Sequence, residues 1–242
     1  MIVLLTDFGH SPYVGVMKGV IFSRASDARV VDLFNAVKRH NIREGAWVLL
    51  NSFRAFPKGS IFLCVVDPGV GGNRRCVAAR TKDYRFLGPD NGLMWPAMEA
   101  DGMLEAVELS QEGASSTFHG RDVFAPAAAL LERGRKLSSL GKRVKTLERL
   151  AFHLSGREGE IVAVDRFGNL ITNIPPLPGK KTYQVSAEGF ERRLAWHPTY
   201  RDSPHGELFL ITGSSATLEL SVREESAAEK SPLREGMRLR IA

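Results

Sequence analysis

The sequence predicts an α/β fold: an N-terminal α/β domain with a mainly parallel sheet, then a smaller C-terminal antiparallel β domain. Two observations carry this. Short apolar runs alternate with helix-length amphipathic stretches through the first ninety or so residues, the pattern of strands joined by helical crossovers. Beyond about residue 155 the texture changes to short strands separated by Gly, Pro, Asn and Ser, which favours antiparallel pairing. The expected domains are 1–155 and 156–242, with the boundary in the segment Leu154 to Glu158.

The elements follow in order. Ile2 to Thr6 is a continuous apolar run that stops at Asp7-Phe8-Gly9, as a strand buried on both faces does. Tyr13 to Phe22 has mixed three and four spacing and reads as a helix. Arg29 to Leu33 is a second strand. Asn41-Ile42-Arg43-Glu44 has the form of a capping box and opens a helix through Phe53, which Pro57-Lys58-Gly59 breaks. Ile61 to Val66 is the third strand, ending at Asp67-Pro68-Gly69. Cys76 to Thr81 and Arg85 to Leu87 are strands around a Lys82-Asp83 turn. A helix is expected from Leu93, a strand over Glu105 to Leu109, and an Ala-rich helix over Asp122 to Leu131 with Pro126 in its first turns. Arg133 to Arg149 is basic and weakly patterned, and reads as solvated surface. In the second domain, strands are expected at 161–164, 170–172, 182–185, 208–212, 217–222 and 237–241.

Composition narrows the function classes. The chain has 242 residues, 43% hydrophobic and 25% charged, enough for a core without disulfide or metal staples. Its apolar runs are far shorter than the ~18 residues of a membrane span. The start of the chain lacks a basic region and cleavage site, so a cytoplasmic location is expected. The net charge of +6 permits a nucleic-acid partner, but the basic residues are scattered and none is expected. Cys64 and Cys76 lie in strand-like runs without CxxC spacing, so buried reduced thiols are expected rather than a metal or redox site.

Four loops at expected strand ends combine glycine with an ionisable group: those at Asp7, at 67–75, at Pro89 to Gly92, and at Thr117 to Asp122. Ligands of open α/β sheets bind beyond the carboxyl ends of the strands, so this edge is the candidate site for a polar small molecule. Nucleotide signatures fail. The 67–75 loop has Arg74 where a dinucleotide motif needs its third glycine, and Gly141-Lys142 is followed by Arg143 rather than Ser or Thr. His119 lies inside a candidate loop, and spacing leaves it open between a structural and a catalytic role. His10, His40, His153, His197 and His205 read as surface residues without metal-ligand spacing.

The runs TDFGHSPYVGVMKGVI at 6–21, VVDPGVGGNRR at 65–75, PDNGL at 89–93, TFHGRDVFAPAAA at 117–129 and DRFGNLITNI at 165–174 closely resemble the S-adenosylmethionine (SAM) hydroxide adenosyltransferases. These are the hydrolase relatives of the SAM-dependent fluorinase and chlorinase. The resemblance implies a C-terminal domain that is β-barrel-like. It implies hydrolysis of SAM to adenosine and methionine by water attacking the ribose 5′ carbon in line with the departing sulfur, without cofactor or metal. It also implies a homotrimer with the site at the subunit interface. By similarity, Asp67, Arg74 and His119 match the hydroxide-handling residues, with Arg75 an alternative to Arg74 one position away. Asp7 matches the carboxylate that holds the ribose diol, Asp165 a contact of the methionine ammonium, and Asn169 a reader of the adenine edge. Ser214, Ser215 and Ala227 fall in stretches lining the adenine and methionine ends. Phe34 and Asn35 depart from the family's Thr-His pair, and no role is expected for that loop. The alternatives are a SAM-dependent halogenase, which needs a small dry halide pocket rather than an Arg and His pair, and a nonenzymatic adenosine or SAM sensor.

Overall fold

A computed structural model describes all residues, 1–242. The chain forms two compact units, Met1–Leu150 and Ala151–Ala242. No helix is long and apolar enough to cross a membrane.

The first unit is a three-layer α/β/α arrangement. Its strands are β1 (Ile2–Thr6), β2 (Val30–Phe34), β3 (Ile61–Val65), β4 (Cys76–Thr81), β5 (Arg85–Pro89), β6 (Met103–Leu109) and β7 (Gly141–Val144). They form one sheet in the order β2-β1-β3-β5-β4-β6-β7. The β1–β2, β1–β3 and β3–β5 pairs are parallel, and the pairs made by β4 with β5, β4 with β6, and β6 with β7 are antiparallel. The sheet is therefore mixed, with β1, β2, β3, β5 and β6 pointing the same way. Period-2 alternation sends Ile2, Leu4, Leu63 and Val65 to one face, against helices α1 (Tyr13–Arg24) and α4 (Ala125–Glu132). Val3, Leu5, Phe62 and Cys64 go to the other, against α2 (Ile42–Ser52) and α3 (Trp95–Asp101). Strands covered on both faces can be apolar throughout, which is why these runs do not alternate. Asn41 caps α2 by accepting the Glu44 N–H at 3.0 Å. The Glu44 carboxylate reaches back to the Lys38 N–H at 2.7 Å.

The 133–149 segment is not merely solvated surface. It holds β7, which pairs with β6, and it buries Leu137 and Leu147. Lys142 and Arg143 hide this strand from the apolar pattern, because an edge strand with one wet face needs little hydrophobicity.

The second unit is an antiparallel sheet in the order β11-β10-β14-β8-β9-β13-β12. Its strands are β8 (Glu158–Val164), β9 (Leu170–Thr172), β10 (Thr182–Ala187), β11 (Phe190–Ala195), β12 (Leu208–Thr212), β13 (Leu218–Val222) and β14 (Arg238–Ile241). A bridge between Trp196 and Leu210, with the His197 N–H on the Leu210 carbonyl at 2.9 Å, brings the two edges together into a nearly closed barrel. Its core includes Ile161, Tyr183, Leu210, Leu220 and Ile241. Strand β11 escapes the sequence reading because only Phe190 and Leu194 of its six residues are buried and Glu191, Arg192 and Arg193 are exposed.

Candidate active site

Strands β1, β3 and β6 run parallel in direction, so their carboxyl ends share one edge, and β4 begins there. Asp67 follows β3, and the glycine-rich loop after it returns the chain to β4 with Arg74 just ahead of the strand. Gly71 makes this return possible. Its φ is +76°, and a Cβ would lie 2.1 Å from the Ser116 carbonyl oxygen, so the loop packs directly on residues 115–117.

Across that contact the side chains meet. Arg74 donates from Nε to Asp67 Oδ1 and Oδ2, both at 3.0 Å, and from Nη2 to Oδ2 at 2.5 Å. Nη2 also lies 2.7 Å from His119 Nδ1, and Nη1 donates to Cys76 Sγ at 3.0 Å. A guanidinium only donates, so Nδ1 is the acceptor and a neutral His119 carries its proton on Nε2. Four of the five guanidinium N–H groups are thereby engaged inside the protein. Burial opposes the Arg74 charge, but the hydrogen bonds and negative charge of Asp67 outweigh it and raise its pKa. Burial first, and the Arg74 charge second, lower the His119 pKa. Burial pushes the Cys76 thiol up to about 11, against the pull of Arg74.

His119 precedes a single π-helical turn, Gly120–Phe124, which runs into α4 with Pro126 in its first turn. The Ala-rich helix thus starts later than the sequence pattern suggests. Asp122 braces the approach by accepting from the Ser115 N–H at 3.0 Å and the Ser115 hydroxyl at 2.7 Å. Bonds from Arg121 and then Ser115 hold its carboxyl well below the usual range, against the opposing effect of its own burial.

Arg75 turns elsewhere. It pairs with Asp90 and donates to the Thr146 carbonyl at 2.7 Å. Asp90 also accepts the Glu148 N–H at 2.9 Å. The Pro89–Gly92 loop is therefore a structural clasp, and of the two arginines it is Arg74 that reaches His119.

Asp7, Asp67 and His119 line one cavity of about 540 Å³. Arg74 sits behind Asp67 and His119, its side chain 10% exposed. Phe8, Tyr13 and Phe118 form an edge-to-face cluster with ring centroids 5.0–6.0 Å apart on the cavity wall. Asp7 Oδ2 accepts the His40 backbone N–H at 2.9 Å, so His40, exposed as expected, also lies on the rim of this cavity. The Phe34-Asn35 loop has a part after all. The Asn35 carbonyl accepts the Gly9 N–H at 2.7 Å, and its side chain accepts the Thr6 hydroxyl at 3.0 Å, steadying the Asp7 loop.

The second unit has its own cavity, of about 1180 Å³. Asp165, Asn169 and Ser214 line it, together with Tyr200 and Glu219, which the sequence reading did not single out. Asp165 organises its own loop by accepting from the Phe167 N–H at 2.8 Å, the Asn169 N–H at 2.9 Å and the Asn169 side chain at 2.9 Å. Ser215 is not among the lining residues. Ala227 is fully buried in the barrel core, as the first residue of the short helix α5 (Ala227–Lys230), and does not line the cavity. The preceding residue, Ser226, faces it instead. Sequence cannot set the phase of so short a helix.

Two halves of the chain match one family. Residues 2–141 match the SAM hydroxide adenosyltransferase N-terminal domain, and residues 159–240 match the corresponding C-terminal domain. The chain belongs to the SAM hydroxide adenosyltransferase family. It is 40% identical to an (R)-S-adenosyl-L-methionine hydrolase of Thermus thermophilus, over 98% of this chain and 97% of that protein. A fluorinase of Actinopolyspora mzabensis is 26% identical, over 100% of this chain and 96% of its own. Among solved structures, an uncharacterized conserved protein from Thermotoga maritima superposes with a TM-score of 0.92 at 34% identity, covering 100% of both chains.

Proposed function

We propose that this protein hydrolyses S-adenosyl-L-methionine to adenosine and L-methionine, and that its substrate is the (R)-sulfonium epimer for which the 40%-identical relative is named. The observation that carries the reading is the linked set Asp67, Arg74 and His119 opening on a cavity that also holds Asp7.

A sulfonium leaves without acid assistance, so the task is to supply the nucleophile. Water takes its place against Asp67 and His119, in line behind the ribose 5′ carbon. The C5′–O bond forms as the C5′–S bond breaks, the electron pair leaves on sulfur, and the water proton passes to Asp67 or solvent. Arg74 holds both neighbours in place and lends its positive charge to the developing hydroxide. Asp67 and Arg74 cancel and His119 is neutral, so the trio carries no net charge of its own. The substrate's sulfonium then supplies the balancing charge, and the ionised water is favoured once substrate has displaced solvent. Asp7 offers two acceptor oxygens to the two ribose hydroxyls. Asp165 takes the ammonium and Asn169 contacts the adenine, with Ser214 lining the same cavity.

The protein works as a cytoplasmic homotrimer without metal or cofactor, each substrate shared between the N-terminal unit of one subunit and the C-terminal unit of a neighbour. Exposed Val16 and Phe22 on α1 and Val31 and Phe34 on β2 support an assembly that covers apolar surface. The test is incubation of each sulfonium epimer in ¹⁸O-water. Equal adenosine and methionine, with the label in the adenosine 5′-hydroxyl, is the expected result. Label in a homoserine product, or no adenosine at all, refutes the reading. Formation of 5′-haloadenosine in halide buffer reassigns the protein to the halogenases.

A further inference from the structure

Strand β13 points Leu218 and Leu220 into the barrel core, and the residue between them, Glu219, into the C-terminal cavity, which Val222 at the strand's end also lines. Register sets Glu219 directly between Ile211 of β12 and Ile171 of β9. Both isoleucines line the same cavity, so a carboxyl group occupies the middle of an apolar floor. The residue is 6% exposed. Gly213 lies against it so closely that a Cβ there would fall 1.6 Å from Oε1. No lysine, arginine or histidine pairs with it, although Arg201 and Arg223 line the same cavity with Glu224 and Glu225. The groups that act on it are the Asp165 carboxylate and the Tyr200 hydroxyl. Burial, and then the charge of Asp165, push its pKa up to about 7, while the bond with Tyr200 works the other way.

We propose that Glu219 is a specificity-determining residue that reads the nucleobase edge of the adenosyl ligand as a neutral carboxylic acid. The inference rests on the adenosyl reading above and adds a residue and a protonation state to it. A carboxylate only accepts hydrogen bonds, whereas the neutral acid presents one donor and one acceptor in a plane. An adenine edge presents a ring-nitrogen acceptor beside an exocyclic N–H donor, the complement of the neutral acid. The O–H is donated to the ring nitrogen and the carbonyl oxygen accepts the amine. The flanking isoleucines suit a flat apolar ring, and they disfavour an ionised group beside it.

The test uses adenosine with the full-length protein. Adenosine carries no charge between pH 5.5 and 8.5 and is not turned over. Calorimetry is expected to show affinity falling as pH rises through about 7, by roughly 30-fold at pH 8.5 if the neutral acid alone binds. Glu219→Gln keeps one donor and one acceptor, so it should bind as the wild type does at low pH and lose the fall. Glu219→Ala should bind weakly at every pH. Wild-type affinity that is flat or rises with pH, or a Glu219→Gln variant as weak as Glu219→Ala, overturns the inference while leaving the adenosyl reading intact. No adenosine binding at any pH overturns both.

Discussion

Arg74 leaves its neighbours little independence. Its removal would strand Asp67, whose side chain is 5% exposed, without a cation, and would leave His119 Nδ1 without a donor. Arg74→Ala should therefore lower kcat by about 10²–10³-fold with KM changed little, in steady-state assays of adenosine release. Arg74→Lys should recover little of this, because a single ammonium cannot span Asp67, His119 and Cys76 as a planar fork does. Arg75→Ala should do the reverse, leaving turnover intact while the melting temperature drops with the loss of the Asp90 clasp, about 1–2 kcal/mol after allowing for the partial exposure of Arg75. Asp7→Ala should raise KM by about 10-fold or more through lost diol contacts. The pH profile has a definite sign as well. Neutral His119 accepts from Arg74, and its pKa is lowered by burial and by that cation. Activity should persist through the ordinary histidine range near 6.5 and fall only as pH drops through the depressed value, when Nδ1 protonates and turns the contact repulsive. A fall centred at or above 6.5 in kcat would contradict the assignment. At this scale long motifs surround Asp67, Arg74 and His119, and the structure brings these three side chains together. The sequence was silent on Cys76, an ordinary strand residue until its sulfur is seen beside Arg74, and on Glu219. For Glu219 a signal was present: a lone acid set between Leu218 and Leu220 in an otherwise apolar strand.

Among the elements, the loop between β3 and β4 carries the candidate site. It holds Asp67 at one end and Arg74 at the other, and Gly71 lets it lie on residues 115–117, which lead to His119. Gly71→Ala would impose both a left-handed backbone on a residue with a Cβ and a clash with the Ser116 carbonyl. Loss of about 1–3 kcal/mol in a denaturant titration should accompany a drop in kcat, since the loop shifts relative to His119. Gly9→Ala meets nothing within 4 Å and has only its positive φ to contend with, so it should cost less on both measures. The apolar strands and the capped helix were legible because burial on two faces and an Asn-x-x-Glu spacing are written locally. Strands β7 and β11 were not, because their pairing supplies the stability and their exposed faces carry charge. The π turn before α4 has no local signature, and it set the Ala-rich helix later than its composition suggested.

For the molecule as a whole, each unit has its own core and its own cavity. In the sequence the texture changes near residue 155, and the compact units divide between Leu150 and Ala151. The scattered charge of the sequence carries no signal for an interface between copies, because an interface depends on exposed side chains that only the fold defines. Val16 on α1 is 40% exposed. If apolar surface of this kind is covered by a neighbouring subunit, sedimentation should give three times the 26.7 kDa chain mass. Val16→Glu should then dissociate the assembly and abolish turnover together, and a fully active monomer would refute the shared site. The two thiols offer a different consequence. Cys64 lies in the layer under α2 and α3, and Cys76 in the layer under α1 and α4. Both are fully buried, and burial pushes both thiols up, so an alkylating reagent can reach either only through an opening fluctuation. One chain thus contains a natural pair of clocks, one per layer. Their relative labelling rates, resolved by peptide mass, report whether the two sides of the central sheet breathe together or apart.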